Sequence, residues 1–200
     1  MVRTPTADLE PAILTAAGAV LEDVGAGAFT LRSVARRAEV SLQSIYNRFA
    51  SKNDLLDQVA HQGFEALTAT LLEHDGVALS TFTDPIGNIR EGLRRYREFT
   101  VENPHVYGLM FDAPLPDFRV SDRTLGTAFG TLTVLVDAVA TAQAAGDLAP
   151  GEPLDLAQRV WAAAHGVVRF ELTQTGFVDD WARHYTNTVS TMIDGLRPTA

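Results

Sequence analysis

The sequence predicts an all-α protein on the spacing of its apolar residues, and its composition predicts a compact core without disulfides. Apolar residues recur at intervals of three and four along almost the whole chain, which is the period of an amphipathic helix rather than a strand. Hydrophobic residues make up 46% of the 200 residues and charged residues 20%, a balance typical of a chain that folds around a core. The chain has no cysteine, which excludes disulfide frameworks, thiolate zinc sites and cysteine nucleophiles.

The first quarter of the sequence predicts three helices. The first runs from Leu9 to Val24 and is followed by Gly25, a residue that permits a helix to stop. Thr30 is the N-cap candidate of a second helix, and Ser41 is the N-cap candidate of a third, Leu42 to Phe49. The first helix has one apolar stripe, which consists of Ile13, Leu14, Ala17, Val20, Leu21 and Val24.

A long fourth helix is predicted after the capping residue Ser51, and a loop follows it at Asp75-Gly76 and at Thr83 to Pro85. The functional boundary is expected where the fourth helix begins, which divides the chain into domains 1–52 and 53–200. The later helices are predicted at 86–102, His105 to Phe111, Ser121 to Ala145, Pro153 to Thr175 and Val178 to Leu196.

Two helices joined by a tight turn, the second beginning at a capping serine, form the helix-turn-helix arrangement that places a recognition helix in the DNA major groove. The charge distribution agrees. From Thr30 to Lys52 there are five basic residues and one acid, a local net charge of +4 in a chain whose total is −9. The remaining sequence therefore carries −13, which excludes a protein that coats nucleic acid through excess positive charge. One small basic face is still allowed.

The recognition helix is expected to bury Ile45 and Phe49, so its other side chains point outward. Gln43 matches the hydrogen-bonding edge of adenine, Leu42 matches the methyl group of thymine, and hydroxyl and basic side chains match phosphate. The candidate DNA-binding residues are Thr30, Ser41, Leu42, Gln43, Ser44, Tyr46, Asn47, Arg48 and Lys52.

The stretch from Gly25 to Leu56 resembles the N-terminal DNA-binding domain of the TetR family of transcriptional regulators. The residues that match the family pattern are Thr30, Ala35, Ala38, Val40, Ser41, Tyr46, Phe49 and Lys52. Arg48 stands where the family usually has histidine, and Leu42 and Gln43 occupy positions that often hold a basic and a small residue. The resemblance therefore carries no operator sequence with it.

The second half of the chain resembles a TetR-family C-terminal domain with a Trp-x-x-x-His-Gly helix. Here that helix reads Arg159 to Gly166, and Asn103 to Phe111 also fits. The resemblance implies a homodimer that forms through the last two helices, and a pocket that binds a small-molecule effector of largely apolar character. The candidate lining residues are Phe99, Tyr107, Met110, Phe111, Phe129, Trp161 and His165.

These pocket candidates have a second interpretation, because aromatic and methionine residues at helical spacing are often simple core. His165 lies in an apolar run, where its ring either binds a backbone carbonyl or contacts an effector.

Other patterns indicate no catalysis, metal or cofactor. Asp57 and His61 lie one turn apart but supply only two of the three or four ligands that a metal site needs. The sequence contains no dinucleotide fingerprint and no nucleophile elbow. The arginines of the fifth helix alternate with glutamates and predict a solvated, salt-bridged face; they are Arg90, Arg94, Arg95 and Arg97.

Met1 to Glu10 contains acids and no apolar leader, and no run of apolar residues has the length of a membrane span. The sequence therefore predicts a cytoplasmic protein that is not an enzyme. We expect a homodimeric, ligand-responsive regulator, a repressor that a small molecule releases from a palindromic DNA operator. The alternative is a helical small-molecule-binding protein or enzyme whose N-terminal helices are only structural.

Overall fold

The computed structural model describes residues 9–112 and 115–198. The expectation of no N-terminal leader falls mainly on residues 1–8, which lie outside the described residues. The predicted all-α class is confirmed, and the predicted helix bounds are met to within about one turn. The helices of the described chain are α1 (Leu9–Ala28), α2 (Leu31–Arg37), α3 (Leu42–Tyr46), α4 (Lys52–Leu72), α5 (Pro85–Glu102), α6 (Pro104–Phe111), α7 (Asp122–Ala144), α8 (Pro153–Leu172) and α9 (Trp181–Asp194).

The chain divides into two compact units. The first unit contains the residues up to Glu65 together with Asn103–Ala128, and the second contains Ala66–Glu102 together with the residues from Phe129 onward. The divisions fall inside α4, between α5 and α6, and inside α7. The functional boundary placed after residue 52 is not tested by this packing and stays a prediction.

In the first unit, α1 contributes an apolar face to the core and a side chain that caps the start of α6. Its helix is interrupted at Gly25, whose φ of 69° is left-handed and suits glycine. One turn earlier, the Glu22 carboxylate accepts hydrogen bonds from the backbone N–H groups of His105 (3.2 Å) and Val106 (2.7 Å). A side chain of α1 thus satisfies two N–H groups at the start of α6, where helix geometry leaves them without partners.

The two side chains considered as metal ligands bind protein groups near the start of α7. Buried Asp57 accepts a hydrogen bond from the Ser121 backbone N–H at 2.8 Å. His61 Nε2 lies 3.1 Å from an Arg123 guanidinium nitrogen, and His61 Nδ1 lies 3.1 Å from the Thr127 hydroxyl. Because a guanidinium can only donate, Nε2 accepts and Nδ1 carries the ring hydrogen.

The second unit contains a short hairpin, directly after α4, where the sequence predicts a loop. Strand β1 (Glu73–His74) pairs antiparallel with β2 (Val77–Ala78). The two residues between them, Asp75 and Gly76, have φ angles of 50° and 73°. Asp-Gly with two positive φ angles is the preferred connection of a tight hairpin. The sequence analysis predicts a loop at this dipeptide and misses the hairpin.

Arg95 contradicts the prediction of a solvated arginine face on α5. Its side chain is fully buried, and its three donor nitrogens are all used. They donate to the Glu91 carboxylate (2.8 Å), the Leu71 carbonyl (3.0 Å) and the Val77 carbonyl (3.0 Å). The guanidinium also lies 5.9 Å from the centroid of the Phe82 ring. The prediction was wrong for this residue because a buried arginine with a full set of partners fits the same spacing as an exposed one.

Arg94, the next residue, does lie on the exposed face. It binds Glu91 with two nitrogens, at 2.8 Å and 2.7 Å. The hydrogen bonds from Arg94, reinforced by those from Arg95, lower the pKa of the Glu91 carboxyl to about 2 against the opposing effect of burial. One carboxylate therefore serves both an exposed and a buried arginine.

Helices α8 and α9 pack together and against α5. The hydroxyl of buried Tyr185 donates to the Leu93 carbonyl at 2.7 Å, and burial raises the pKa of that phenol well above its usual value. Arg97 donates to the Glu171 carboxylate at 2.9 Å. These bonds fix the side of the α8–α9 pair that faces α5.

Helix α7 is long and apolar enough to span a membrane by length and composition, and it is the one such helix within the described residues. Of its most apolar 18-residue window, 17% is buried. The expectation of no membrane span stays a prediction.

Candidate nucleic-acid interface

Helix α2 begins at the predicted cap. Thr30 is extended (φ −135°), and its hydroxyl oxygen accepts a hydrogen bond from the Ser33 N–H at 3.1 Å. Leu31, Val34 and Ala35 are buried, so the helix is anchored by one face and presents its arginines on the other. Thr30 is confirmed as an N-cap.

The turn between α2 and α3 depends on a residue that sequence reasoning missed. Glu39 has a φ of 54°, in the left-handed region that non-glycine residues enter only at a cost. After it, the Val40 N–H donates to the Ala35 carbonyl at 3.0 Å. No sequence signal pointed to this conformation, because glutamate is not a turn-forming residue.

Helix α3 is the candidate recognition helix, and Ser41 is confirmed as its N-cap. The Ser41 hydroxyl accepts from the Ser44 N–H at 3.0 Å, and Ile45 is fully buried. The helix ends at Tyr46, three residues before the predicted end at Phe49. After Tyr46 the chain forms a turn in which the Arg48 and Phe49 N–H groups both donate to the Ile45 carbonyl.

The outer side of α3 carries the polar side chains that the sequence prediction placed there. Gln43, Tyr46 and Asn47 are exposed, and Tyr46 keeps 51% of its surface accessible. Leu42, Ser44 and Arg48 are half-buried. The Gln43 Nε2 group donates a hydrogen bond to Asn47 Oδ1 at 2.9 Å, so two of the exposed amides form a pair.

The hydroxyls expected to bind phosphate occur as two pairs. Thr30 lies 2.8 Å from the Ser33 hydroxyl, and Ser41 lies 2.8 Å from the Ser44 hydroxyl. Each pair holds two hydroxyl hydrogens, and the bond within the pair uses one. One O–H group per pair therefore remains able to donate to a phosphate, even while the same oxygens cap a helix.

The basic side chains differ in their surroundings. Arg37 pairs with Asp23 of α1, and an Arg48 nitrogen donates to the Ser44 carbonyl at 3.2 Å. Lys52 lies with its ammonium group 5.6 Å from the centroid of the Phe29 ring, an arrangement typical of a cation–π contact. It is also the chain's only lysine.

The N-terminus of α4, the helix that follows this surface, is capped by two reciprocal hydrogen bonds. The Ser51 hydroxyl accepts from the Asp54 N–H at 3.0 Å, and the Asp54 carboxylate accepts from the Ala50 N–H at 2.8 Å. This reciprocal pattern resembles a capping box. It fixes the direction in which α4 leaves the candidate interface.

The candidate effector residues fall into the two units. In the first unit, Tyr107 and Met110 are buried, and the Phe111 ring contacts the rings of Phe64 (5.3 Å) and Tyr107 (4.9 Å). In the second unit, Phe99 is buried, whereas Phe129 is 56% exposed.

Trp161 and His165 of the second unit meet a residue that the site prediction omitted. The indole N–H of Trp161 donates to the Tyr96 hydroxyl at 3.3 Å, and that hydroxyl lies 3.1 Å from His165 Nδ1. Tyr96 was assigned to the apolar stripe of α5, where its ring does belong, but its hydroxyl joins a polar chain. Whether any of these side chains binds an effector stays a prediction.

Two families match separate parts of the chain. The family described as "Bacterial regulatory proteins, tetR family" matches residues 13–59. The family described as "Tetracyclin repressor-like, C-terminal domain" matches residues 89–196. The first match contains the whole candidate interface, and the second contains α8, α9 and most of α5.

Individual relatives and solved structures are similar over different lengths. The HTH-type transcriptional regulators Rv1816 of Mycobacterium tuberculosis and Mb1846 of Mycobacterium bovis are each 28% identical over 130 residues, which is 64% of this chain and 54% of theirs. The chain thus spans about half the length of these curated relatives.

Two solved structures cover nearly the full length and show the fold. A Rhodococcus sp. RHA1 protein described as having unknown function aligns with a TM-score of 0.81 at 24% identity, over 95% of this chain and 96% of that one. A TetR family transcription regulator from Marinobacter aquaeolei VT8 aligns with a TM-score of 0.71 at 16% identity, over 96% and 97%. The capped helix-turn-helix and the two family matches lead to one conclusion: the chain belongs to the TetR family of bacterial regulatory proteins.

Proposed function

We propose that this protein is a cytoplasmic transcriptional repressor that binds a palindromic DNA operator as a homodimer and is released by a small molecule. The observation that carries the proposal is the capped α2–turn–α3 unit, with buried Ile45 and with Gln43, Tyr46 and Asn47 exposed on the opposite side. A purely structural helical pair has no need of a polar, amide-rich outer face beside a local charge of +4.

DNA binding divides into positioning and sequence reading. The Tyr46 hydroxyl, the Lys52 ammonium and the hydroxyl pairs at the starts of α2 and α3 are suited to phosphate oxygens, and the α3 amides are suited to base edges. The negative charge of the remaining chain repels DNA away from this face. We therefore expect weak non-specific binding and strong dependence on the two correctly placed half-sites.

The surface of α8 and α9 supports dimerisation. An open groove of about 490 Å³ lies along this pair, and no charged side chain contributes to its lining. A shallow, largely apolar surface on a helix pair is suited to a self-complementary contact with a second copy. The lining residues are Ala163, His184, Asn187, Thr188, Thr191, Met192, Gly195 and Leu196. A dimer would read two half-sites about 34 Å, or one helical turn, apart.

The Trp161–Tyr96–His165 chain supports effector binding in the second unit. Small-molecule sites are mostly apolar, with a few polar groups that orient the ligand. The three polar atoms here are linked to one another, so a ligand that bonds to one of them changes the partners of the others. A ligand that binds the DNA-free conformation better lowers operator affinity, and by linkage DNA lowers ligand affinity by the same factor.

The experiment combines selection of bound sequences from random DNA at low salt with a double variant, Tyr46→Ala with Lys52→Ala. We expect operator affinity to fall at least 100-fold, because each protomer loses two donors to phosphate, and two hydrogen bonds to charged groups at about 1.5–3 kcal/mol each already amount to about 3–6 kcal/mol. Arg94→Ala is the matched control, since it removes one exposed positive charge from α5, away from the candidate interface and from the groove residues, and should leave affinity within about twofold.

The single lysine offers an independent measurement. Reductive methylation followed by peptide mass analysis reports the accessibility of Lys52 alone among side chains. We expect DNA to protect Lys52. If wild-type protein selects no sequence, or if the double variant binds as well as wild type, the proposal fails and the small-molecule alternative is favoured.

A further inference from the structure

The proposed function gives no role to the hydrogen bond that joins the two amides of the recognition helix. Gln43 and Asn47 lie one turn apart, and both are exposed. Their hydrogen bond has a defined direction: Gln43 Nε2 donates and Asn47 Oδ1 accepts, at 2.9 Å. Side chains four residues apart on a helix are neighbours, so the pair forms without distorting α3.

The direction of this bond determines which donor and acceptor groups of the Gln43 amide remain available to a base. A glutamine amide has two N–H groups and one carbonyl oxygen. The bond to Asn47 uses one N–H and leaves the second N–H and Oε1. One donor beside one acceptor is the arrangement that pairs with the N7 and N6 groups of adenine. Guanine presents two acceptors, N7 and O6, and does not fit this edge.

The bond also restricts the conformations of the Gln43 side chain in the DNA-free protein. Glutamine has several rotatable bonds, and fixing them on binding costs conformational entropy. Asn47 is the C-cap residue of α3 and has a helical backbone conformation, and its side chain has fewer rotatable bonds than that of glutamine. The hydrogen bond between them therefore restricts the longer side chain by pairing it with the shorter one.

We propose that Asn47 is a specificity-determining positioning residue that acts through Gln43. It orients the Gln43 amide so that the protein prefers adenine over guanine at one position of each half-site. Asn47 itself need not touch that base. This inference rests on the proposed DNA-binding function and assigns a role within the same interface.

The test compares base preferences rather than affinity alone. Full-length wild type, Gln43→Ala, Asn47→Ala and the double variant each select bound sequences from random DNA. We expect both single variants to lose about 10-fold of adenine preference at the same position, and we expect the double variant to lose no more than either. Asn47→Asp keeps the acceptor oxygen and should retain the adenine preference, although its charge weakens binding to all sequences.

Two further readouts separate positioning from other roles. If Asn47 only contacted phosphate, Asn47→Ala would weaken binding to all sequences equally and leave the base preferences unchanged; we expect the change to be confined to the position that Gln43 reads. Helical circular dichroism of each variant checks folding, and Asn47→Asp provides a second variant at the same position.

The outcomes distinguish the two proposals. If Asn47→Ala keeps the adenine preference, or changes the preference at a different position from Gln43→Ala, the positioning role is wrong while DNA binding stands. If wild type selects no sequence, the proposed function fails, and this inference fails with it.

Discussion

Arg95 gives the sharpest test of what stabilises the second unit. We consider the substitution Arg95→Met, which keeps a long side chain in a fully buried position but removes all donors. The Leu71 carbonyl, at the end of α4, and the Val77 carbonyl, in the hairpin, would lose the hydrogen bonds that they now accept at 3.0 Å. Glu91 would keep only its exposed partner, Arg94.

The expected loss follows from these three contacts. A buried acceptor left without a donor costs about 1–3 kcal/mol, and the Leu71 carbonyl is the more buried of the two. Removing one partner of a buried ion pair costs about 3–5 kcal/mol when the remaining charge has no other partner. Arg94 continues to neutralise Glu91 in the variant. We therefore expect the free energy of unfolding to fall by about 2–4 kcal/mol, which lowers the Tm by about 5–15 °C for a chain of this size.

Arg94→Met is the matched control. It removes an arginine from the same helix and from the same carboxylate, but that arginine is 49% exposed. Exposed ion pairs contribute about 0–1 kcal/mol. Urea and thermal unfolding, followed by circular dichroism, would measure both variants. If Arg95→Met costs no more than Arg94→Met, the reasoning is refuted.

Two further predictions concern pH and packing. Since the folded pKa of Glu91 is about 2 and its ordinary value is 4.5, the ionised carboxylate stabilises the fold above pH 4.5 and loses that effect as pH falls toward 2. Urea titrations over this range should show a smaller decline for Glu91→Gln than for wild type; equal declines would contradict the assignment. Gly63→Ala should destabilise by about 1–3 kcal/mol, because its Cβ would lie 2.7 Å from a methionine sulfur and 2.8 Å from a valine methyl of α6. Gly18→Ala, whose Cβ would have nothing within 4 Å, should instead stabilise by about 0.5–1 kcal/mol, and thermal unfolding of the two variants should show shifts of opposite sign.

Much of the local structure follows from the sequence, because its causes are local. Thr30 and Ser41 cap helices through hydroxyls that reach N–H groups three residues later, and the spacing of Ile45 and Phe49 indicates the buried side of the recognition helix. Such relations require no knowledge of the rest of the chain. The helix order and the fold class were predictable for the same reason.

The features that sequence reasoning missed depend on partners that are distant in the chain or on backbone conformation. Arg95 is buried because two carbonyls far from it in sequence turn toward it, and periodicity cannot report that. Glu22 caps a helix that begins more than 80 residues later. Glu39 adopts a left-handed conformation for which glutamate gives no signal. The direction of the Gln43–Asn47 bond likewise requires coordinates, although the i, i+4 spacing allowed it.

The two helices of the candidate interface, α2 and α3, are short, and their length determines how destabilisation should affect the interface. α2 has seven residues and α3 has five, whereas isolated helices shorter than about 12–15 residues are marginal in water. Neither persists without the buried residues beneath it. Mutations or heat that destabilise this core should therefore unfold both helices together. The fraction of molecules able to bind DNA should fall, while the molecules that stay folded should keep their sequence specificity. Under the proposed function, a destabilised variant would lose binding to its operator before it began to bind other sequences.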